Sequence, residues 1–135
     1  AALNLEYTLP NVSQSVIITR MAGRTPVPEK ESIESFASHN ATMVIFLSTS
    51  MLEELSKRLV SGGYKKETPT AIVYKATWSD EKKIICTVET LAEKAKENGI
   101  TKTALIIVGN VLEGEYERSK LYDPYFTTEF RKGLE

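Results

Sequence analysis

Apolar residues follow two periods along this chain, and the periods alternate. Ser15 to Thr19, "SVIIT", is a β-branched run and reads as a strand. From Glu29 to His39 the apolar residues Ile33, Phe36 and Ala37 fall at i, i+3 and i+4, which predicts a helix with one apolar face, stopped near Asn40. Thr42 to Ser48, "TMVIFLS", is continuously apolar and suits a strand covered on both faces. Ser50 followed by Glu53 gives a capping box, and Leu52, Leu55 and Leu59 continue a helix that Gly62-Gly63 ends. Thr70 to Ala76, "TAIVYKA", is a third strand. The polar turn "WSDEKK" leads from it to a short fourth strand, "IIC". Val88, Leu91, Ala92 and Ala95 mark a third helix that stops at Asn98-Gly99, and Thr103 to Gly109 is a last buried strand. Strands and helices alternate, so the expected class is α/β: a mixed, largely buried sheet flanked by helices, with one antiparallel pair at the short turn.

Composition changes this picture little. A chain of 135 residues with 41% hydrophobic and 26% charged residues suits one globular domain. Lys+Arg 17 against Asp+Glu 18 argues against a broad polyanion-binding surface, so no nucleic-acid partner is expected. The single cysteine, Cys86, excludes an internal disulfide and fits a reducing compartment. The longest apolar runs, "MVIFL" and "ALIIV", are far too short to span a membrane, and no signal peptide is visible. The opening "AALNLEY" reads like the last turns of a helix that begins elsewhere, hence a piece of a longer chain. The tail after Gly114 places Tyr116, Tyr122, Tyr125, Phe126 and Phe130 among charges and is expected to pack against protein.

Catalytic signals are sparse. His39 is the one histidine and falls at a predicted helix end, where a capping or solvated role is expected. Cys86 lies in a predicted strand as a small core residue, and metal-ligand spacing is missing. Asp80 and Glu81 read as solvated turn carboxylates. Arg20 and Arg24 are different, because they follow a strand on a segment stiffened by Pro26 and Pro28. Two guanidinium groups held there would form a cradle for a polycarboxylate; the alternative is a pair of ordinary surface arginines. The strand ends "FLS" and "YKAT" are a second place for a ligand, since open α/β sheets bind outside strand ends and a small residue such as Ala76 lets a flat ring approach the backbone.

The strings "LPNVSQSVIITRMAGRTPVPE", "ATMVIFLS", "TPTAIVYKATWSDEKKI", "IIVGNVL" and "RSKLYDPYFTTEFR" together resemble the C-terminal half of the tetrapyrrole (corrin/porphyrin) methylase family. "GRTPVPE" and "SKLYD" are the strings most specific to the branch that methylates C-11 of precorrin-4 or cobalt-precorrin-4 in cobalamin biosynthesis. The resemblance implies two α/β domains with S-adenosyl-L-methionine in the cleft between them. The family's N-terminal "GxGPGDP" loop is not in this sequence. Residues 1–8 would then be the end of the connecting helix or linker, and residues 9–135 the C-terminal domain. Carried over by motif, Leu47, Ala76 and Ala104 would touch the cofactor, with Leu47 standing where the family has methionine. Cys86 stands where relatives have a glycine-threonine pair, so a glycine-dependent turn is not expected there. Arg20 and Arg24 would face the acetate and propionate arms of an anionic corrinoid. A cytoplasmic homodimer is implied, and the fragment alone would be inactive. Two other readings stay open: a methylase of the same family acting on another acceptor, and a non-catalytic α/β dimerisation module.

Overall fold

The computed structural model describes residues 1–46, 49–113, 125, 127 and 131–132. Among these residues, five strands form one mixed sheet: β1 (Val16–Arg20), β2 (Thr42–Phe46), β3 (Pro69–Tyr74), β4 (Lys82–Thr87) and β5 (Ala104–Val108), in the order β1-β2-β5-β3-β4. β1 pairs with β2 in parallel, and every other pair is antiparallel. Three helices connect them: α1 (Ile33–Ala37), α2 (Leu52–Gly62) and α3 (Leu91–Glu97).

All three helices pack on the same face of the sheet. Ile33 and Ala37 of α1, Leu52, Leu55 and Leu59 of α2, and Leu91 and Ala95 of α3 share one buried cluster with Met43, Ile45, Ile72, Cys86, Ile106 and Val108. The topology explains it. The crossovers β1-α1-β2 and β2-α2-β3 step the same way across the sheet, so one hand of crossover puts both helices on one face. β4-α3-β5 reverses both strand direction and step, which restores that face. On the face opposite these helices, register aligns Ile18, Val44, Ile107, Ala71 and Ile85 in one apolar row. Its outer members are open to solvent, Ile18 at 70% and Ile85 at 50%.

Element bounds depart from the sequence expectations where the backbone finds a local alternative. The predicted 29–39 helix is a 3-10 turn, Glu29–Glu31, followed by the short α1. Ser32 breaks it by adopting an extended conformation and accepting a hydrogen bond from the Ser35 amide as N-cap. Before α2, a 3-10 turn at Thr49–Met51 makes Met51 the N-cap without a side-chain cap, so the Ser50-Glu53 capping box does not form. Residues 1–8 hold one turn at 2–3 and otherwise no regular structure, rather than the end of a helix, with Asn4 in the left-handed region at φ 53°. The stops at Gly62-Gly63 and Asn98-Gly99 are where the glycines predicted them. The Tyr64 amide donates to the Leu59 carbonyl at 3.1 Å and the Ile100 amide to Ala95 at 2.9 Å, each reaching back across a glycine of positive φ. Buried Tyr64 then donates its hydroxyl to the Ala41 carbonyl, tying the end of α2 to the approach to β2, and burial pushes its phenol far above the usual range. The aromatic tail lies outside the described residues except for Tyr125, which is 67% exposed.

Candidate functional site at one edge of the sheet

Strand direction decides which residues share an edge. β1, β2 and β3 end where β4 and β5 begin, and register pairs Arg20 with Phe46, Tyr74 with Ala104 and Tyr74 with Lys82. Along this edge therefore come Arg20, Phe46, Ala104, Tyr74 and Lys82 in spatial order. With strands about 4.8 Å apart, the distance from β1 to β3 is roughly 14 Å. Ala104 is half-buried on this edge, and Ala76 stands two residues beyond β3, exposed. Leu47 lies outside the described residues; Phe46 before it ends β2 on the same edge. Arg24 is exposed on the segment that leaves β1. The topology thus gathers Arg20, Ala76 and Ala104 at one end of the sheet.

Backbone strain is concentrated beside the two alanines. Lys75 (φ 45°), Thr77 (φ 72°) and Thr103 (φ 60°) all occupy the left-handed region, where a β-branched residue is disfavoured. The remaining non-glycine residues of positive φ among those described are asparagines, which tolerate it. Strain of this kind persists only where surroundings fix it, and it clusters at ligand sites. Here the Lys75 amide donates to the Thr103 carbonyl at 3.0 Å, the Thr77 amide to Glu81 Oε2 at 2.6 Å, and the Trp78 amide to the Lys75 carbonyl at 3.0 Å. Lys75 Nζ sits 5.1 Å from the Tyr74 ring centroid, 5.3 Å from that of Trp78 and 2.5 Å from Asp80 Oδ2. The hydrogen bond between them raises the Lys75 pKa and lowers that of Asp80. The sequence pattern places Ala76 within the strand, marks "YKAT" as a place for a ligand and reads "WSDEKK" as a polar turn, with no sign of the strained backbone. Lysine and threonine carry no signal of positive φ, so β3 ends at Tyr74, two residues earlier than expected. Trp78 in the same turn is 61% exposed.

Arg20 is engaged rather than free. Its Nη1 donates to the carbonyls of Met21 and Thr25, and its Nη2 to that of Pro26, each at 3.1 Å. A cleft of about 330 Å³ opens beside it, lined by Ile18, Arg20, Pro26, Val27, Glu31 and Phe46. A larger cavity, about 670 Å³, runs between α2 and α3 from Ser50, just after β2, to Thr101, just before β5.

The histidine and the thiol lie elsewhere. His39 is exposed and precedes β2, at the opposite edge of the sheet. Cys86 is 8% exposed and pairs with Thr70, again far from the edge that carries Arg20 and Ala104. Burial pushes its thiol up to about 11. At pH 8 the thiolate is then on the order of one part in a thousand, and the native protein should react with a disulfide reagent far more slowly than the denatured protein. The native rate should climb tenfold per pH unit toward pH 11; equal native and denatured rates at pH 8 would show an accessible, activated thiol. The unfolded thiol ionises near pH 8.5 and the native one later, so this contribution to stability is present below about pH 8.5 and is lost as pH rises toward 11. No cluster of three or more metal-ligating side chains occurs among the described residues, and no described helix is long and apolar enough to cross a membrane. An edge of this kind can hold and orient flat and anionic groups. Its described residues include no histidine or thiol to move a proton.

Comparison with known proteins gives the edge a context. The profile of the tetrapyrrole (corrin/porphyrin) methylases matches residues 1–92. The cobalt-precorrin-4 C(11)-methyltransferase of Methanocaldococcus jannaschii is 56% identical over 133 residues, covering 98% of this chain and 51% of that protein. The enzyme of the same name from Priestia megaterium is 44% identical, over 99% of this chain and 54% of its own length. The crystal structure of the cobalt precorrin-4 methyltransferase CbiF superposes with a TM-score of 0.81 at 42% identity, covering 84% of this chain and 47% of that one. A uroporphyrin-III C-methyltransferase from Thermus thermophilus, solved with S-adenosylhomocysteine, shares the fold alone, at a TM-score of 0.67 and 22% identity over 82% of this chain and 48% of that one. The chain spans about half the length of the curated relatives it matches. With its mixed α/β sheet and a profile match over most of its length, the chain belongs to the tetrapyrrole (corrin/porphyrin) methylase family.

Proposed function

We propose that this chain is the C-terminal half of a methyltransferase that carries a methyl group from S-adenosyl-L-methionine to C-11 of cobalt-precorrin-4 in cobalamin biosynthesis. The observation that carries this reading is 56% identity to a cobalt-precorrin-4 C(11)-methyltransferase across 98% of this chain. Residues 1–8 serve as linker, residues 9–135 as the C-terminal domain, and an N-terminal domain supplies the opposite wall of the cleft. The protein works in the cytoplasm as a homodimer; the exposed Ile18 and Ile85 on the face opposite α1, α2 and α3 are apolar surface that a second copy could cover.

The cofactor fits the alanine pair. Ala76 and Ala104 sit at neighbouring strand ends, where small side chains leave room for a flat adenosine, and Leu47 adds apolar bulk after β2. The sulfonium supplies an electrophilic methyl group that needs no covalent help from the protein. What this chain contributes is alignment and exclusion of water: the rigid turn 75–81 and the start of β5 hold one partner, and the arginine segment faces the carboxylate arms of the other. The test is incubation of the full-length protein with methyl-labelled cofactor and either cobalt-precorrin-4 or metal-free precorrin-4. Label at C-11 of the cobalt form is expected, and none with residues 1–135 alone. Transfer to neither would refute the substrate, and transfer to the metal-free form only would move the protein to the cobalt-free branch.

A further inference from the structure

We propose that Arg20 is a positioning residue, which shapes the loop 21–28 and so sets Arg24 as the charged group that meets an anionic ligand. The identity of that ligand rests on the proposed function; the division of labour between the arginines does not. Three of the five guanidinium N–H groups of Arg20 are committed to backbone carbonyls, one at the start of the loop (Met21) and two near its end (Thr25 and Pro26). A single planar fork therefore bridges the two limbs. Other features narrow the loop further. Met21 is 5% exposed and anchors one limb in the core, the Gly23 amide donates to the Thr25 carbonyl at 3.2 Å, and Pro26 and Pro28 fix φ on the other limb.

Arg24 stands between Gly23 and Thr25, exposed, and makes no hydrogen bond or ion pair among the described residues. The two arginines that sequence alone treats as equivalent thus differ in kind. One closes the loop, and the other is presented by it. The acceptors of Arg20 are neutral carbonyls, and no ion pair to a carboxylate offsets its charge among the described residues. Its charge still adds to the local positive potential, although its donors are turned toward the backbone. An ammonium cannot reproduce this arrangement: lysine keeps the charge but lacks the flat fork that reaches three carbonyls at once.

The experiment uses the full-length protein with Arg20→Lys, Arg20→Gln, Arg24→Lys and Arg24→Gln, read by amide hydrogen exchange of the ligand-free loop and by the KM and kcat of methyl transfer to cobalt-precorrin-4. Both Arg20 variants should speed exchange of the hydrogen-bonded Gly23 amide by about tenfold or more. They should also raise the corrinoid KM on the order of tenfold while kcat stays within about threefold, a split that general loss of structure would not give. Arg24→Gln should raise KM similarly with exchange unchanged, and Arg24→Lys should stay within about threefold of wild type. Because Arg20 acts through Arg24, adding Arg20→Lys to Arg24→Gln should cost less than about twofold more. Wild-type exchange and KM in Arg20→Lys would overturn the proposal, as would a full additional tenfold in the Arg24→Gln background. If wild-type protein transfers no methyl group to the corrinoid, the substrate assignment fails, and the exchange of the Arg20 variants still upholds or overturns the clamp.

Discussion

Gly62→Ala is expected to destabilise the protein by about 2–3 kcal/mol, against the usual gain from replacing glycine in a helix. Gly62 is the last residue of α2, where alanine would ordinarily be favoured by up to about 1 kcal/mol. Space decides otherwise. A Cβ built there would lie 2.6 Å from Ala37 Cβ, 2.6 Å from the Glu34 carbonyl oxygen and 2.8 Å from Glu34 Cα. Two of these three neighbours are backbone atoms of the facing helix, so no rotamer change can relieve them, and α1 itself would have to retreat. Retreat is costly, because Ile33 and Ala37 of α1 are buried against the sheet and Glu34 pairs with Arg58 of α2 at 3.3 Å. Overpacking of this severity sits at the upper end of the typical 1–3 kcal/mol and outweighs the propensity term of about 1 kcal/mol. Thermal unfolding of the full-length protein should show a midpoint lower by about 4–12 °C. Ala37→Gly in the same chain should restore only part of the loss, since the Glu34 contacts remain. A midpoint at or above that of wild type would mean the helices are not packed this closely.

How far the sequence foretold the molecule depends on the scale of the interaction involved. The strands were legible because "SVIIT", "MVIFL" and "ALIIV" are β-branched or continuously apolar, and burial leaves them little alternative. The glycine stops at Gly63 and Gly99 were legible because the need for positive φ is written into residue type. Ser32 and Ser50 show where that legibility ends: both are good capping residues, yet only Ser32 caps, because a 3-10 turn shifts the start of α2 to Leu52. One-sided packing of the helices depends on the strand order β1-β2-β5-β3-β4, which no local pattern encodes. At the site, Arg20, Ala76 and Ala104 lie along one edge of the sheet, and the binding roles that the motifs imply for them belong to the proposed function. The strained turn and the inward commitment of Arg20 depend instead on contacts that form only once β1, β3 and β5 are assembled. Leu47 and the "SKLYD" string lie outside the described residues, so the expectations placed on them stand on sequence alone.

Ala76→Phe is expected to weaken S-adenosylhomocysteine binding to the full-length protein on the order of 100-fold, about 2.7 kcal/mol, while leaving the fold intact. The two halves of this expectation have separate causes. Ala76 is exposed, and the turn around it is held by groups other than its side chain: the amides of Lys75, Thr77 and Trp78, and the Lys75–Asp80 pair at 2.5 Å. A larger side chain there meets solvent, so unfolding stability should change by no more than about 0.5 kcal/mol. The flanking residues at φ 45° and φ 72° leave the turn little freedom to carry that side chain away. If adenosine lies against the ends of β3 and β5, as the proposed cofactor site requires, a phenyl ring at this position occupies its place, and rigid surroundings offer no cheap relief. Titration calorimetry with S-adenosylhomocysteine reads the effect directly, and Ala76→Gly, which adds no bulk, should bind within about threefold of wild type. Wild-type affinity in Ala76→Phe would remove the cofactor from the β3 end and leave the cavity between α2 and α3, reached from Ser50 and Thr101, as the better place to look for it.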